Sequence, residues 1–132
     1  MTDQPKRKRR SSTSPTARTL NYLRGQGITC DKAEAFNAYS RKTTDLFGFI
    51  DVVALDPQRG QIVGIQVTSG SNVQSRVKKI LEEDDIREYA AQWVRCGGRV
   101  EVWGWRKVKV KRGGKAMRWE PRIVELSQQD LV

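Results

Sequence analysis

The chain has 132 residues, 37% of them apolar, enough for one compact domain with a modest core and not for two. Lysine and arginine total 25 against 15 acids, a formal charge of +10, so the field of the molecule draws polyanions and nucleic acid is the expected partner. No long apolar run or basic amphipathic helix speaks for a membrane, and the absence of histidine excludes histidine-dependent nuclease chemistry, Ser-His-Asp triads and histidine-bound metals.

Residues 1–13 are polar, charged and without periodicity, and are expected to form a disordered basic tail ahead of a single domain at 14–132. The run from Lys6 to Arg10 reads as a basic arm on phosphates, as a nuclear-import signal or as a plain solvated leader. The polar start carries no secretory signal, so a cytoplasmic location is expected. Ser14-Pro15 marks a helix start, with Ser14 as N-cap and Pro15 at the first helical position. Ala17, Leu20 and Leu23 give that helix an apolar stripe, and Gly25 or Gly27 ends it. Residues 28–39 mix strand and helix formers and are read as a strand.

Phe47 to Leu55 and Gln61 to Thr68 are short runs rich in valine and isoleucine, separated by Asp56-Pro57-Gln58-Arg59-Gly60. This predicts an antiparallel hairpin, and its apolar character on both faces places it inside a covered sheet. A helix follows, capped by Ser69, Ser71 or Asn72, with Val73, Val77, Ile80 and Leu81 on one face. A second helix is expected from Asp85, with Glu88 in the capping-box position, ending at Gly97-Gly98. Residues 99–105 then form a strand that returns parallel to the one ending at Thr68. A last hairpin joins residues 108–110 to 117–119 around the turn 111–115, and Ile123, Val124 and Leu126 add an apolar patch. Cys30 and Cys96 lack metal-binding spacing and are expected to be reduced thiols packing as small apolar groups.

Asp51, Gln66 and Thr68 are polar residues inside otherwise apolar strands, and such side chains need partners when buried. Gln66 and Thr68 are two apart and share a face, and hairpin pairing can set Asp51 beside them. The alternative is an Asp that caps a turn or pairs with an arginine, and an amide–hydroxyl bond that fixes the sheet. Glu34 can complete a set of carboxylates, since a phosphodiester site needs more than one anionic ligand. Asp45 is either a further acid or a turn residue. Ser69 to Asn72 can bind phosphate at a helix start or serve as a plain cap. Arg76, Lys78 and Lys79 form either a contact to the DNA backbone or a solvated face, and the basic tip with Lys111, Arg112 and Lys115 is the preferred accessory DNA contact. Trp103, Trp105 and Trp119 lie among cations, suited to base stacking or, for at least one of them, to the core.

The order of a helix, a strand, a hairpin with an Asp and a polar triplet, a crossover helix and a strand resembles the αβββαβ core of PD-(D/E)XK nucleases. Gly48-Phe49-Ile50-Asp51 matches the motif Asp, and Ile65-Gln66-Val67-Thr68 occupies the (D/E)xK triplet. The segments around them are also similar to small phage and prophage proteins grouped with these nucleases. The resemblance spans roughly residues 15 to 105. It implies an α/β, restriction-endonuclease-like fold with an added C-terminal hairpin. It further implies a metal-dependent nuclease acting on DNA, branched or phage DNA included, with Mg²⁺ or Mn²⁺, in one or two ions, held by Asp51, Gln66 and Glu34. Homodimers are common in the family. Two departures stand out: Gln66 replaces an acid, and Thr68 replaces the lysine that orients or activates water. Lys32, Lys78 or Lys79 are the candidates to supply the missing charge. An inactive nucleic-acid-binding protein on the same fold, and a phage protein that binds a host protein, are the alternatives.

Overall fold

A computed structural model describes residues 13–131, so the run from Lys6 to Arg10 lies outside the described residues. Helix α1 (Pro15–Gly25) begins as the sequence predicts, with the Ser14 hydroxyl accepting from Ala17 N–H at 3.1 Å and proline in the first turn. Four strands follow: β1 (Cys30–Lys32), β2 (Ala35–Asn37), β3 (Lys42–Thr44) and β4 (Val52–Asp56). The remaining elements are β5 (Gln61–Ser69), a 3₁₀ turn (Gly70–Asn72), helices α2 (Val73–Glu82) and α3 (Asp84–Arg95), and strands β6 (Arg99–Lys109) and β7 (Met117–Leu126).

The main sheet is mixed, in the order β1-β4-β5-β6-β7, with only β5 and β6 parallel. A crossover through α2 and α3 produces that parallel pair, as expected from its length. Alternation along β5 divides the core in two. Val63, Ile65 and Val67 pack under α1 with Val52, Trp103 and Trp105. The opposite face lies under α2 and α3, where Phe49, Ile50, Val73, Ile80, Val100 and Val102 are fully buried. The fold is therefore α/β with helices on both sides of a five-stranded sheet. No helix among the described residues is long and apolar enough to cross a membrane.

Several expectations are corrected. Residues 28–39 do not form one strand: β1 ends at Lys32, and Ala35–Asn37 leaves the sheet to pair with Lys42–Thr44 in a separate two-stranded hairpin. Phe47 to Ile50 is a turn rather than a strand, because Phe47 and Gly48 hold φ of +55° and +80°, outside the β region. Glu88 does not close a capping box. The N-cap of α3 is Glu83, without a side-chain cap, and Glu88 instead accepts from Gln92 and Arg95. The strand at 99–105 and the last hairpin are one structure, for β6 and β7 pair continuously from Val100↔Leu126 to Lys109↔Met117. Pro121, opposite Trp105, tolerates this because β7 is an edge strand.

Trp103 and Trp105 are core residues. Tyr22 packs edge-on against both rings, and their indole N–H groups donate to Glu101 at 2.9 Å and Thr19 at 2.8 Å. The Arg99 guanidinium ties the start of β6 to the β4–β5 turn, reaching Asp56 and Gln61 at 3.0 Å and Glu101 at 3.1 Å. Gly104 is required by close approach. A Cβ there would run into the Val73 side chain and lie 3.0 Å from Gly70 Cα and 3.1 Å from the Ser69 carbonyl oxygen. Backbone cannot yield as a side-chain tip can, so Gly104→Ala is expected to destabilise the fold by about 2–3 kcal/mol, read as a lower urea midpoint at unchanged slope.

Candidate functional site

Asp51 is the last residue before β4, and its main chain is held from both sides. Its N–H donates to the Ile65 carbonyl at 2.8 Å, and its carbonyl accepts from Ala33 N–H at 2.8 Å. Because Val52 pairs with Ile65, the register sets Asp51 opposite Gln66, with both side chains on the face below α2 and α3. Beyond Asp51 the chain turns away, and Val67 N–H is left without a strand partner on that side. The Asp51 carboxylate takes it: Oδ2 accepts from Val67 N–H at 2.7 Å and from Gln66 Nε2 at 2.8 Å. Asp51 and Gln66 are both buried, at 5% and 3% exposure.

The turn at Phe47-Gly48 folds Asp45 back over this pair. Leu46 bridges Ile50, and Gly48 N–H donates to the Asp45 carbonyl at 3.0 Å. Glu34 enters from the other direction, two residues beyond the end of β1. As a result, Glu34, Asp45 and Asp51 each offer a carboxylate oxygen, all within 4.8 Å of one another. Gln66 Nε2 also approaches Asp45 Oδ2 at 3.5 Å, which leaves Gln66 Oε1 buried with no hydrogen-bond partner. Lys32, one of the lysines weighed from the sequence, reaches this group, with Nζ 3.3 Å from Glu34 Oε1.

Burial, a hydrogen bond with the Asp45 carboxyl and the charges of Asp45 and Glu34 push the Asp51 carboxyl up to about 7, while the Val67 N–H pulls the other way. Three acids at this spacing are hard oxygen donors of the kind that suits Mg²⁺ or Mn²⁺. Gln66 turns its amide N–H toward these acids, so as placed it braces Asp51 rather than offering Oε1 to an ion.

The sequence-predicted residues are thus partly brought together. Asp51, Gln66 and Glu34 converge, and Asp45 joins them as both turn residue and cluster member. Thr68 is buried on the same face of β5, but Gln66 directs its amide to Asp51 and Asp45, not to the threonine hydroxyl. Lys78 is not free, lying 4.0 Å from Glu82 on the exposed side of α2. Arg76 is half-buried, with Nε lacking a partner. The Ser69–Asn72 segment closes on itself, for Asn72 Nδ2 donates to Ser69 Oγ at 2.9 Å. A cavity of about 670 Å³ lies elsewhere, between the end of α1 and the sheet, and its acids Asp56 and Glu101 are already engaged by Arg99.

The distal half of the β6–β7 hairpin concentrates positive charge. Arg106, Lys107, Lys109, Lys111, Arg112, Lys115, Arg118 and Arg122 face a single acid, Glu120, and none of these cations pairs with a carboxylate among the described residues. Trp119 is half-exposed but not a free stacking surface, because the Arg18 guanidinium lies 3.7 Å and Lys107 Nζ 5.2 Å from its ring centre. No family model matches the chain, and no curated protein or solved structure compared with it is similar.

The buried acid makes stability depend on pH. A carboxyl raised from 3.8 to about 7 holds its proton more tightly folded than unfolded, so its contribution is fully present below the lower value and is lost as pH rises through the window. Metal-free protein is therefore expected to lose thermal stability between about pH 4 and about pH 7. Asp51→Asn, which is never charged, is expected to flatten this loss and to raise Tm at about pH 8 by roughly 5 °C or more in scanning calorimetry.

Proposed function

We propose that this protein is a divalent-metal-dependent phosphodiesterase acting on nucleic acid, DNA in the first place, built on a restriction-endonuclease-like core. The observation that carries the reading is the cluster of three carboxylates, Glu34, Asp45 and Asp51, each offering an oxygen within 4.8 Å of the others. The three carboxylates would hold Mg²⁺ or Mn²⁺, with Gln66 bracing Asp51 beside them, and a bound ion supplies Lewis acidity and a more acidic water. The two N–H bonds from Val67 and Gln66 fix one Asp51 oxygen and so aim the other. Lys32, with Nζ 3.3 Å from Glu34, would supply the positive charge that Thr68 cannot, to a non-bridging phosphate oxygen or the leaving oxygen. The unpaired cations of the β6–β7 hairpin neutralise phosphates along the backbone and give binding a steep salt dependence.

In this reading water adds to phosphorus and one ester oxygen departs with a proton. Wild-type protein is expected to bind Mn²⁺ and to cleave at least one of supercoiled, linear, single-stranded and branched DNA. Asp51→Asn is expected to abolish cleavage while leaving DNA binding nearly intact. Lys32→Ala is expected to slow cleavage by roughly 10²-fold with Mn²⁺ binding retained, as seen by electron paramagnetic resonance. Robust cleavage by the Asp51 variant would overturn the proposal. The Thr68 substitution favours a second reading, a nucleic-acid-binding protein that does not cut, and this predicts salt-sensitive binding with no metal-dependent cleavage of any of the four substrates.

A further inference from the structure

The β2–β3 hairpin is short, exposed and attached to the acidic cluster at both feet. Glu34 immediately precedes β2 and Asp45 immediately follows β3. Every residue of both strands is exposed, and the two strands pack chiefly on each other. An isolated hairpin of this size is marginal in water, yet its tip is well determined. Asn37 Oδ1 accepts from Tyr39 N–H at 2.9 Å and Ser40 N–H at 3.3 Å, and the Asn37 carbonyl accepts from Arg41 N–H at 2.8 Å. Arg41 completes the turn at φ +55°.

What this hairpin displays is unusual for a solvated loop. Phe36 is 66% exposed and Tyr39, at the tip, is exposed completely. Arg41 and Lys42 follow after Ser40, and neither has an acidic partner among the described residues. Rings kept in water beside free cations match a polyanion that also carries flat apolar faces. Three paired residues, at about 3.3 Å each, hold the tip about 10 Å beyond the carboxylates. A strand with a phosphate at the cluster would thus pass its neighbouring bases over the rings.

We infer that the β2–β3 hairpin stacks on unpaired bases, through Phe36 and Tyr39, with Arg41 and Lys42 on the adjoining phosphates. It selects single-stranded or unpaired regions, because the faces of bases inside a duplex are already stacked and hidden. The assignment of a cleavage substrate rests on the reading of the acidic cluster as a phosphodiester site; the stacking itself does not.

The test measures binding of the full chain, in EDTA, to a single-stranded oligonucleotide with a fluorescent base analogue and to the matching blunt duplex. Wild type is expected to bind the single strand and quench the analogue. Phe36→Ala with Tyr39→Ala is expected to weaken single-strand binding tenfold or more and duplex binding less than twofold, with Tm unchanged because the rings contribute nothing to the core. Phe36→Trp with Tyr39→Trp is expected to restore the single-strand affinity. Unchanged single-strand affinity in the alanine variant overturns the inference. An equal loss on duplex, or failure of the wild type to bind the single strand, overturns it too. A change in oligomeric state in light scattering would assign the rings to a protein contact instead. Selective loss of single-strand binding in a protein that cuts nothing would uphold the hairpin and remove the hydrolase reading alone.

Discussion

Asp51 keeps a carboxyl group where water is largely excluded, with two other carboxylates close enough to share one cation. Left alone, that arrangement is repulsive, and the folded chain meets the cost by favouring a proton on Asp51. Much of the local architecture follows from it. The main chain of Asp51 is bound on both sides, the β4–β5 ladder stops so that Val67 N–H can turn to the side chain, and Gln66 commits its amide N–H to the same oxygen. The positive-φ turn at Phe47-Gly48 is the backbone strain that brings Asp45 back over the pair.

The rest of the molecule places charge around this point. The cluster lies toward the C-terminal end of β5, and beyond that end the sheet continues only as the β6–β7 hairpin. Gly70, just past β5, leaves room for Arg106, whose Cβ would stand 3.0 Å from an added methyl there. The acids and the unpaired cations therefore occupy the same end of the parallel pair, where open α/β sheets bind ligands. At the opposite end the cation Arg99 is consumed by acids, so the charge of the chain is divided between a cation that fastens the fold and cations left without acidic partners.

Much of this was legible in the residues. Ser14-Pro15 reports the start of α1, the apolar run through Val67 reports β5, and the length of the helical crossover reports its parallel return. The polar misfits Asp51 and Gln66 point to each other, because a buried polar side chain in a strand requires a partner. What was missed depended on competition that composition does not record. Phe47, Phe49 and Ile50 look like strand residues, but Gly48 permits a turn that buries Phe49 and Ile50 more fully. Strands of three residues are too short to show alternation, so β2 and β3 left no periodic signal, and the turn at Asn37–Arg41 rests on a side-chain amide and a left-handed arginine. Glu88 satisfied the capping-box spacing, yet Gln92 and Arg95 on its own helix face claimed it first.

The sheet is open, and an open sheet offers two rows of unsatisfied backbone groups to any other chain. Here one border is β1, only three residues long, and the other is β7, interrupted by Pro121 and flanked by Arg118 and Arg122. A short border, an imino acid and paired like charges all discourage a second copy from adding a strand. The proline that occupies the β7 ladder is thus a guard against self-association, and it lets a strongly basic hairpin stay extended at concentrations where a bare edge would recruit its neighbours.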